Sequence, residues 1–145
     1  MHIVSFLKWG RTTSINTNWL EEALAVYACP ESLDCDGHTL EERYVYFLQN
    51  DKLLSINSLL EQEMGEESFQ YKIFYSQSAF IIGYLIENYG VDKLKKLWQS
   101  SDIDFSEIYG ITLENIILKI NDELNEKYPD PIDFNWEGFK QTCIE

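Results

Sequence analysis

A long uncharged run from Ile73 to Ile86 is the feature that most constrains how this chain can fold. Its 14 residues are too few to cross the hydrocarbon core of a membrane, which takes about 20 apolar residues in a helix. We therefore expect no transmembrane helix. The pattern predicts the longest helix of the chain from about Tyr71 to Tyr89, as the central buried element, with Gly90 where a left-handed helix cap belongs.

The rest of the chain is also dominated by helical periodicity. No segment alternates apolar and polar residues for long enough to indicate a half-buried strand. The sequence therefore predicts a mostly α fold, as a single helical domain over residues 1–145. Further helices are expected at residues 2–9, at Trp19–Cys29, after a capping box formed by Thr39 and Glu42, at Ser55–Glu63, at Val91–Gln99 and after a cap at Thr112, and Phe134, Trp136 and Phe139 are expected to add one aromatic turn.

The composition fits one domain with a real core and argues against two classes of partner. Apolar residues make up 45% of the 145 residues, which is enough for a sizeable core. Twenty-five acidic residues against 11 basic ones give a net charge of −14, which repels the phosphate backbone of nucleic acids and anionic lipid heads. The acidic residues are spread over the predicted helix faces, so we interpret them as a solvated surface.

Neither a secretion signal nor a cysteine-based site is expected. The first ten residues contain no basic n-region and no small-residue cleavage site, which places the chain, as it stands, in the cytoplasm. Cys29, Cys35 and Cys143 form an odd set without a CxxC pair, so we predict neither a disulfide framework nor a zinc ribbon. Cys29, Cys35 and His38 loosely mimic a metal cluster, but their spacing is irregular and we do not assign one.

Two adjacent glutamates, Glu21 and Glu22, face different surroundings on the helix that begins at Trp19. When this segment is wound as a helix, Glu22 shares its row with Ala25, Val26 and Cys29, whereas Glu21 points to another side and is expected to be solvated. Burying a carboxylate without a partner is costly. Glu22 is therefore expected to be protonated, paired with a cation or bound to a metal ion.

The segment from Trp19 to Tyr27 resembles the second zinc-ligand helix of the gluzincin, or MA-like, zinc metallopeptidases, which reads Trp-Leu-x-Glu-Gly-x-Ala-x-Tyr. The matching residues are Trp19, Leu20, Glu22, Ala25 and Tyr27, and Ala23 replaces the usual glycine. The resemblance implies that Glu22 is the third zinc ligand. It also implies a fold similar to the C-terminal helical subdomain of thermolysin-like peptidases over roughly Met1 to Leu124, with residues 125–145 as a C-terminal tail.

The spacing within that family also implies a role for His2. The third-ligand glutamate follows the second histidine of the HExxH helix by about 20 residues, and 19 residues separate His2 from Glu22 in this chain. His2 would then be the second zinc-ligand histidine, and Ile3 to Trp9 would complete the active-site helix. The alternative is that His2 is an ordinary terminal histidine.

A second match begins at Tyr75 and ends at Leu94. It resembles a later helix of the family, of the form Tyr-x-Gln-small, an apolar run, Tyr-Leu, Tyr-Gly and then Lys-Leu. In some branches the first tyrosine donates a hydrogen bond to the oxyanion of the tetrahedral intermediate, so the resemblance implies this catalytic role for Tyr75. The alternative is a core tyrosine whose hydroxyl is satisfied locally. Gly83 is expected to mark close packing against another helix.

Half of the motif needed for catalysis is missing from the chain. A catalytic zinc site commonly has three protein ligands and a water molecule, and peptide hydrolysis also needs a base. The first histidine and the general-base glutamate of HExxH would precede Met1, which we interpret as an internal methionine of a longer reading frame. The resemblance implies a zinc-dependent peptidase acting on peptides or proteins, whereas this chain alone, with weak zinc binding at most through His2 and Glu22, is predicted to be inactive.

Two interpretations stay open. In the first, the chain is part of a zinc-dependent peptidase whose upstream half supplies the missing residues, and that longer N-terminus would leave an extracytoplasmic location open. In the second, it is a non-catalytic helical module, a degenerate peptidase relative that binds a partner. A partial domain would expose an apolar surface where its other half docked, so self-association would favour the first interpretation. Codons for His-Glu-x directly upstream would support it as well.

Overall fold

The computed structural model of the protein describes residues 9–10, 18–29, 36–61, 69–100 and 105–141. These residues form eight helices and, within the same ranges, no strand. In chain order the helices are α1 (Asn18–Ala28), α2 (Leu40–Gln49), α3 (Ile56–Glu61), α4 (Phe69–Tyr89), α5 (Val91–Gln99), α6 (Phe105–Tyr109), α7 (Leu113–Lys127) and α8 (Trp136–Gln141). The prediction of a mostly α fold is confirmed.

Helix α4 lies at the centre of the fold, as its uncharged sequence predicts. It begins two residues before the predicted start, and its buried positions include Ile73, Ile81 and Leu85. The most extensive helix contact in the described structure is between α4 and α1, and α2 and α5 also pack against α4. Gly90 ends the helix with a φ of +84°, and its N–H donates to the Ile86 carbonyl at 2.9 Å. The helix therefore ends at Gly90 as predicted, and with a positive φ, but the ψ of 151° differs from that of a left-handed helix cap.

Side-chain caps at two other helices also follow the sequence. The Glu42 N–H donates to the Thr39 hydroxyl at 3.2 Å, and the Thr39 N–H donates back to the Glu42 carboxylate at 2.9 Å. This is the predicted capping box, and it begins α2. At the start of α7 the Asn115 N–H donates to the Thr112 hydroxyl at 3.2 Å. Each cap satisfies a backbone group that the first helical turn leaves without a partner.

The C-terminal segment folds back onto α2 and α4. Phe139 of α8 is buried, and Phe47 of α2 lies 5.4 Å from it between ring centroids. The Lys72 ammonium of α4 donates to the carbonyls of Phe139 and Lys140, at 2.9 and 3.1 Å. A lysine at these carbonyls complements the negative end of the α8 dipole. The predicted aromatic turn is confirmed, and it closes a second, smaller hydrophobic cluster.

The helix predicted at the start of the chain is described only at its last residue. The predicted helix at residues 2–9 lies outside the described residues except for Trp9, which is helical. Trp9 and Gly10 are held by α5, because the Trp98 indole donates to the Gly10 carbonyl at 2.9 Å and the Gln99 amide to the Trp9 carbonyl at 3.0 Å.

Within the described ranges, no helix combines the length and the apolar character needed to span a bilayer.

Helix α6 was not predicted. It spans five residues and buries Phe105 and Tyr109, and the Phe105 ring stacks on the Trp19 ring with 6.1 Å between centroids. A helix this short carries too little periodicity to be recognised in sequence. Its position is decided by the burial of its two aromatic side chains against the main core.

A buried ion pair joins the residues before α2 to that helix. The Arg43 guanidinium donates to the Asp36 carboxylate at 2.5 Å, and the two side chains are 2% and 4% exposed. The Asp36 carboxylate also accepts from the His38 N–H at 3.0 Å. Removing one member of such a pair leaves the other charge buried without compensation, which is strongly destabilising.

We expect Asp36→Ala to lower the free energy of unfolding by about 3–5 kcal/mol, because Arg43 would keep its burial and lose its carboxylate. Urea denaturation followed by circular dichroism measures this. Asp133→Ala is the matched control, since Asp133 is exposed and a surface substitution should change stability by about 0.5 kcal/mol or less. A loss below about 1 kcal/mol for Asp36→Ala would show that the pair does not hold this part of the fold.

Candidate functional site

Helix α1 presents Glu22 from the edge of the main core. On this helix Trp19 and Leu20 are each 1% exposed and Ala23 is fully buried. Glu22 is half-buried, and so is Glu21. The two glutamates fall in the same range of exposure, so the expectation that Glu21 is the solvated one stays a prediction. The charge of Glu22 acts on Tyr75, the residue predicted to lie in the same site.

Tyr75 lies on the second turn of α4 and is half-buried. Burial raises the pKa of the Tyr75 hydroxyl, and the negative charge of Glu22 raises it further, followed by a smaller effect of Tyr71. A charge affects a neighbouring group in this way only when the two are near each other. The fold thus places Glu22 where its charge acts on Tyr75, although the two residues are far apart in sequence.

A close contact between α1 and α4 lies at Tyr27 and Gly83. A Cβ atom on Gly83 would come within 2.7 Å of the Tyr27 ring, so the absence of a side chain at Gly83 lets this ring approach α4. Ala23, which stands where the family pattern has glycine, is fully buried. The prediction that Gly83 marks close helix packing is confirmed.

Gln77 of the same motif has a structural role that sequence reasoning did not assign. Its side-chain amide is 1% exposed and donates to the Leu54 carbonyl at 3.1 Å, and its side-chain oxygen accepts from the Leu54 N–H at 2.9 Å. Gln77 therefore clamps the backbone just before α3 onto α4. A lone amide within an uncharged run was the signal, since a buried amide needs partners on both its oxygen and its nitrogen.

His2 is the other predicted zinc ligand, whereas no metal cluster is assigned to Cys29, Cys35 and His38 on their sequence spacing. Cys35 lies outside the described ranges. His2 lies outside those ranges, so its predicted role is not tested. His38 stacks on Phe134 with 4.4 Å between ring centroids, and its Nδ1 lies 3.7 Å from the Glu42 carboxylate. Cys29 is exposed. Across the described part of the chain, no group of three or more histidine, cysteine, aspartate or glutamate side chains is placed to hold a metal ion.

Comparison with known families adds to this geometry. The sequence matches the family model of the Peptidase MA superfamily over residues 2–120. The chain belongs to this superfamily. The matched segment contains His2, Glu22 and Tyr75, and the members of the superfamily are usually zinc-dependent. No curated protein and no solved structure gives a significant match.

The predicted kinship with MA-like peptidases is thus confirmed at the level of the superfamily. The ligand and catalytic roles of individual residues stay predictions. A cavity of about 690 Å³ borders Tyr27 and Gly83, but neither Glu22 nor Tyr75 lines it. The Glu22–Tyr75 pair and this cavity are therefore two separate features of the α1–α4 contact.

We expect Glu22→Gln to lower the pKa of Tyr75, because the substitution removes a negative charge that opposes ionisation of the phenol. The measurement is an NMR titration of the tyrosine Cζ resonances in protein labelled with ¹³C at that position. Glu21→Gln is the matched control, since it removes the same charge from the neighbouring residue. An unchanged Tyr75 pKa in Glu22→Gln, or an equal decrease in both variants, would contradict the specific pairing of Glu22 with Tyr75.

Proposed function

We propose that this chain carries one side of the zinc site of an MA-type peptidase. Glu22 is a zinc ligand, His2 is a second ligand, and Tyr75 donates a hydrogen bond to the oxyanion that forms during peptide hydrolysis. The observation that supports the proposal is that the charge of Glu22 acts on Tyr75 in a member of this superfamily. The substrate class is a peptide or a protein.

Glu22 has the chemistry of a zinc ligand. Zinc in proteins is held by carboxylate oxygens, imidazole nitrogens and thiolates. The Glu22 carboxylate is half-buried beside the fully buried Ala23, and an apolar setting strengthens its attraction for a cation. Glu22 and His2 together would hold the ion, which when bound polarises the substrate carbonyl and activates water.

Tyr75 is suited to donate a hydrogen bond at neutral pH. Burial and the charge of Glu22 both raise the pKa of its hydroxyl, so the phenol keeps its proton well above the pH at which peptidases commonly work. A fixed donor near the reacting carbonyl stabilises the charge that develops there. The half-buried position of Tyr75 on α4 gives such a donor one side open to solvent and one side fixed by packing.

The chain does not contain a complete catalytic motif. Its two histidines stand at positions 2 and 38, and no HExxH sequence occurs in the 145 residues. Peptide hydrolysis would therefore need a first histidine and a general-base glutamate from residues outside this sequence. By itself the chain is expected to bind zinc weakly and to be inactive towards peptides.

The absence of HExxH from these 145 residues also favours a second candidate function, that of a non-catalytic helical module that binds a protein partner. The two functions differ in what Glu22 must do. A peptidase needs its carboxylate as a metal ligand, whereas a binding module keeps its function when that carboxylate becomes an amide. The reading frame before Met1 separates them as well, since only the peptidase requires codons for His-Glu-x there.

Zinc binding gives the first test. We expect calorimetric titration to show weak binding of one Zn²⁺ per chain. His2→Ala and Glu22→Gln should each weaken this binding by about tenfold or more, because even the loss of a residue that hydrogen-bonds to a metal ligand lowers the metal affinity by about that factor. Glu21→Gln should leave the affinity unchanged. Stoichiometric zinc that survives dialysis, or an affinity that Glu22→Gln does not alter, would contradict the assignment.

Hydrolysis gives the second test, made on a protein in which His-Glu-x directly precedes Met1. Tyr75→Phe removes the proposed donor and keeps the ring, so kcat should fall by about 100-fold with little change in KM. Glu22→Gln should abolish activity and Glu21→Gln should not. A Tyr75→Phe enzyme with unchanged kcat would remove Tyr75 from the mechanism, and an active Glu22→Gln enzyme would remove Glu22 from the metal site.

A further inference from the structure

The cavity beside Tyr27 and Gly83 lies apart from the Glu22–Tyr75 pair. Its volume of about 690 Å³ is within the range of sites that hold small organic ligands. Gly83 follows Tyr75 by eight residues on α4, which corresponds to about 12 Å along the helix axis. The cavity is therefore separate from the residues proposed for the peptidase site.

Apolar side chains of four helices form much of the cavity wall. They include Tyr27 of α1, Leu40 of α2, Ala79 and Phe80 of α4, and Ile120 and Leu124 of α7. Phe80 packs against the Tyr44 ring with 4.7 Å between centroids, which fixes the orientation of that part of the wall. The absence of a side chain on Gly83 keeps Tyr27 close to α4 at the edge of the cavity. This surface suits the apolar body of a ligand.

Two basic residues of the wall, Arg43 and Lys127, are paired with carboxylates. A third, His38, lies 3.7 Å from the Glu42 carboxylate. The Arg43 guanidinium is paired with Asp36 at 2.5 Å. The Lys127 ammonium lies 2.6 Å from the Glu41 carboxylate, which also accepts a hydrogen bond from the Tyr128 hydroxyl. Although burial alone would raise it, these hydrogen bonds and the charge of Lys127 hold the pKa of Glu41 below its usual value. Through these contacts with Lys127 and Tyr128, Glu41 connects α2 to the end of α7.

Two further carboxylates, Glu87 of α4 and Glu123 of α7, also line the cavity. The Tyr84 hydroxyl donates to both oxygens of Glu123, at 3.0 and 3.1 Å, and so orients that carboxylate. Lys119 lies 3.9 Å from Glu123, but it is not part of the wall and both side chains are about half exposed. This pair offsets part of the charge of Glu123, although an exposed pair is weak, and Glu87 adds a further negative charge to the wall. The cavity therefore combines an apolar wall with excess negative charge.

We propose that this cavity binds a small organic cation, an ammonium group joined to an aromatic or aliphatic body. Glu87 and Glu123 attract the ammonium group, and the apolar wall receives the body. The aromatic rings of Tyr27, Phe80 and Tyr84 add a surface that favours cations over anions. A neutral ligand of the same shape would leave the charge uncompensated, and an anion would be repelled by it.

The test uses 2-phenylethylammonium as the probe, in buffer with 150 mM NaCl so that long-range attraction to the acidic chain is screened. ¹H–¹⁵N NMR spectra should show saturable binding with a dissociation constant of about 1 mM or lower, with the shifts concentrated on Tyr27, Gly83 and Glu87. The neutral 2-phenylethanol and the anionic 3-phenylpropanoate should each bind at least tenfold more weakly.

Matched variants decide whether the cavity carboxylates are responsible. Glu87→Gln combined with Glu123→Gln should weaken binding of 2-phenylethylammonium at least tenfold. Asp122→Asn combined with Glu126→Gln removes the same charge from exposed positions of α7 that do not line the cavity, and it should have no effect. The proposal is overturned if the probe does not saturate by 10 mM, if 2-phenylethanol binds equally well, or if the two double variants behave alike.

Discussion

The close packing of α1 on α4 is the constraint on which the rest of the structure depends. Gly83 of α4 lets the Tyr27 ring of α1 approach to a distance that a Cβ atom would prevent. Ala23, which is also on α1, is fully buried. Small residues at a helix contact shorten the distance between the axes and leave no room for adjustment. Because the two helices are fixed in this way, the polar residues that each carries at the edge of the contact are fixed relative to each other.

The effect of the Glu22 charge on Tyr75 depends on that helix packing, and not on residues that are close to either one in sequence. Each is half-buried, and the carboxylate raises the pKa of the phenol across the helix pair. A glutamate whose charge reaches a protonated tyrosine can supply a metal ligand, and the tyrosine a hydrogen-bond donor, to one substrate carbonyl. The cavity with Glu87 and Glu123 is a second product of the same contact, further along α4.

The sequence predicted the parts of this structure that depend on neighbouring residues. Thr39 with Glu42, Thr112 and Gly90 each end or begin a helix through contacts within a few positions, and all three were recognisable. The approach of Glu22 to Tyr75 depends on tertiary packing, so periodicity could not have found it, and only the family resemblance suggested it. Helix α6 was missed because its position depends on burial of Phe105 against Trp19.

The most direct test of the central claim is anomalous diffraction at the zinc absorption edge from crystals of the protein grown with excess Zn²⁺. The account predicts a zinc peak at about 2.0–2.2 Å from a Glu22 carboxylate oxygen, on the side of α1 that faces Tyr75, with His2 as the nitrogen ligand. A well-ordered Glu22 with no zinc beside it, while zinc occupies other carboxylates of this acidic chain, would contradict it.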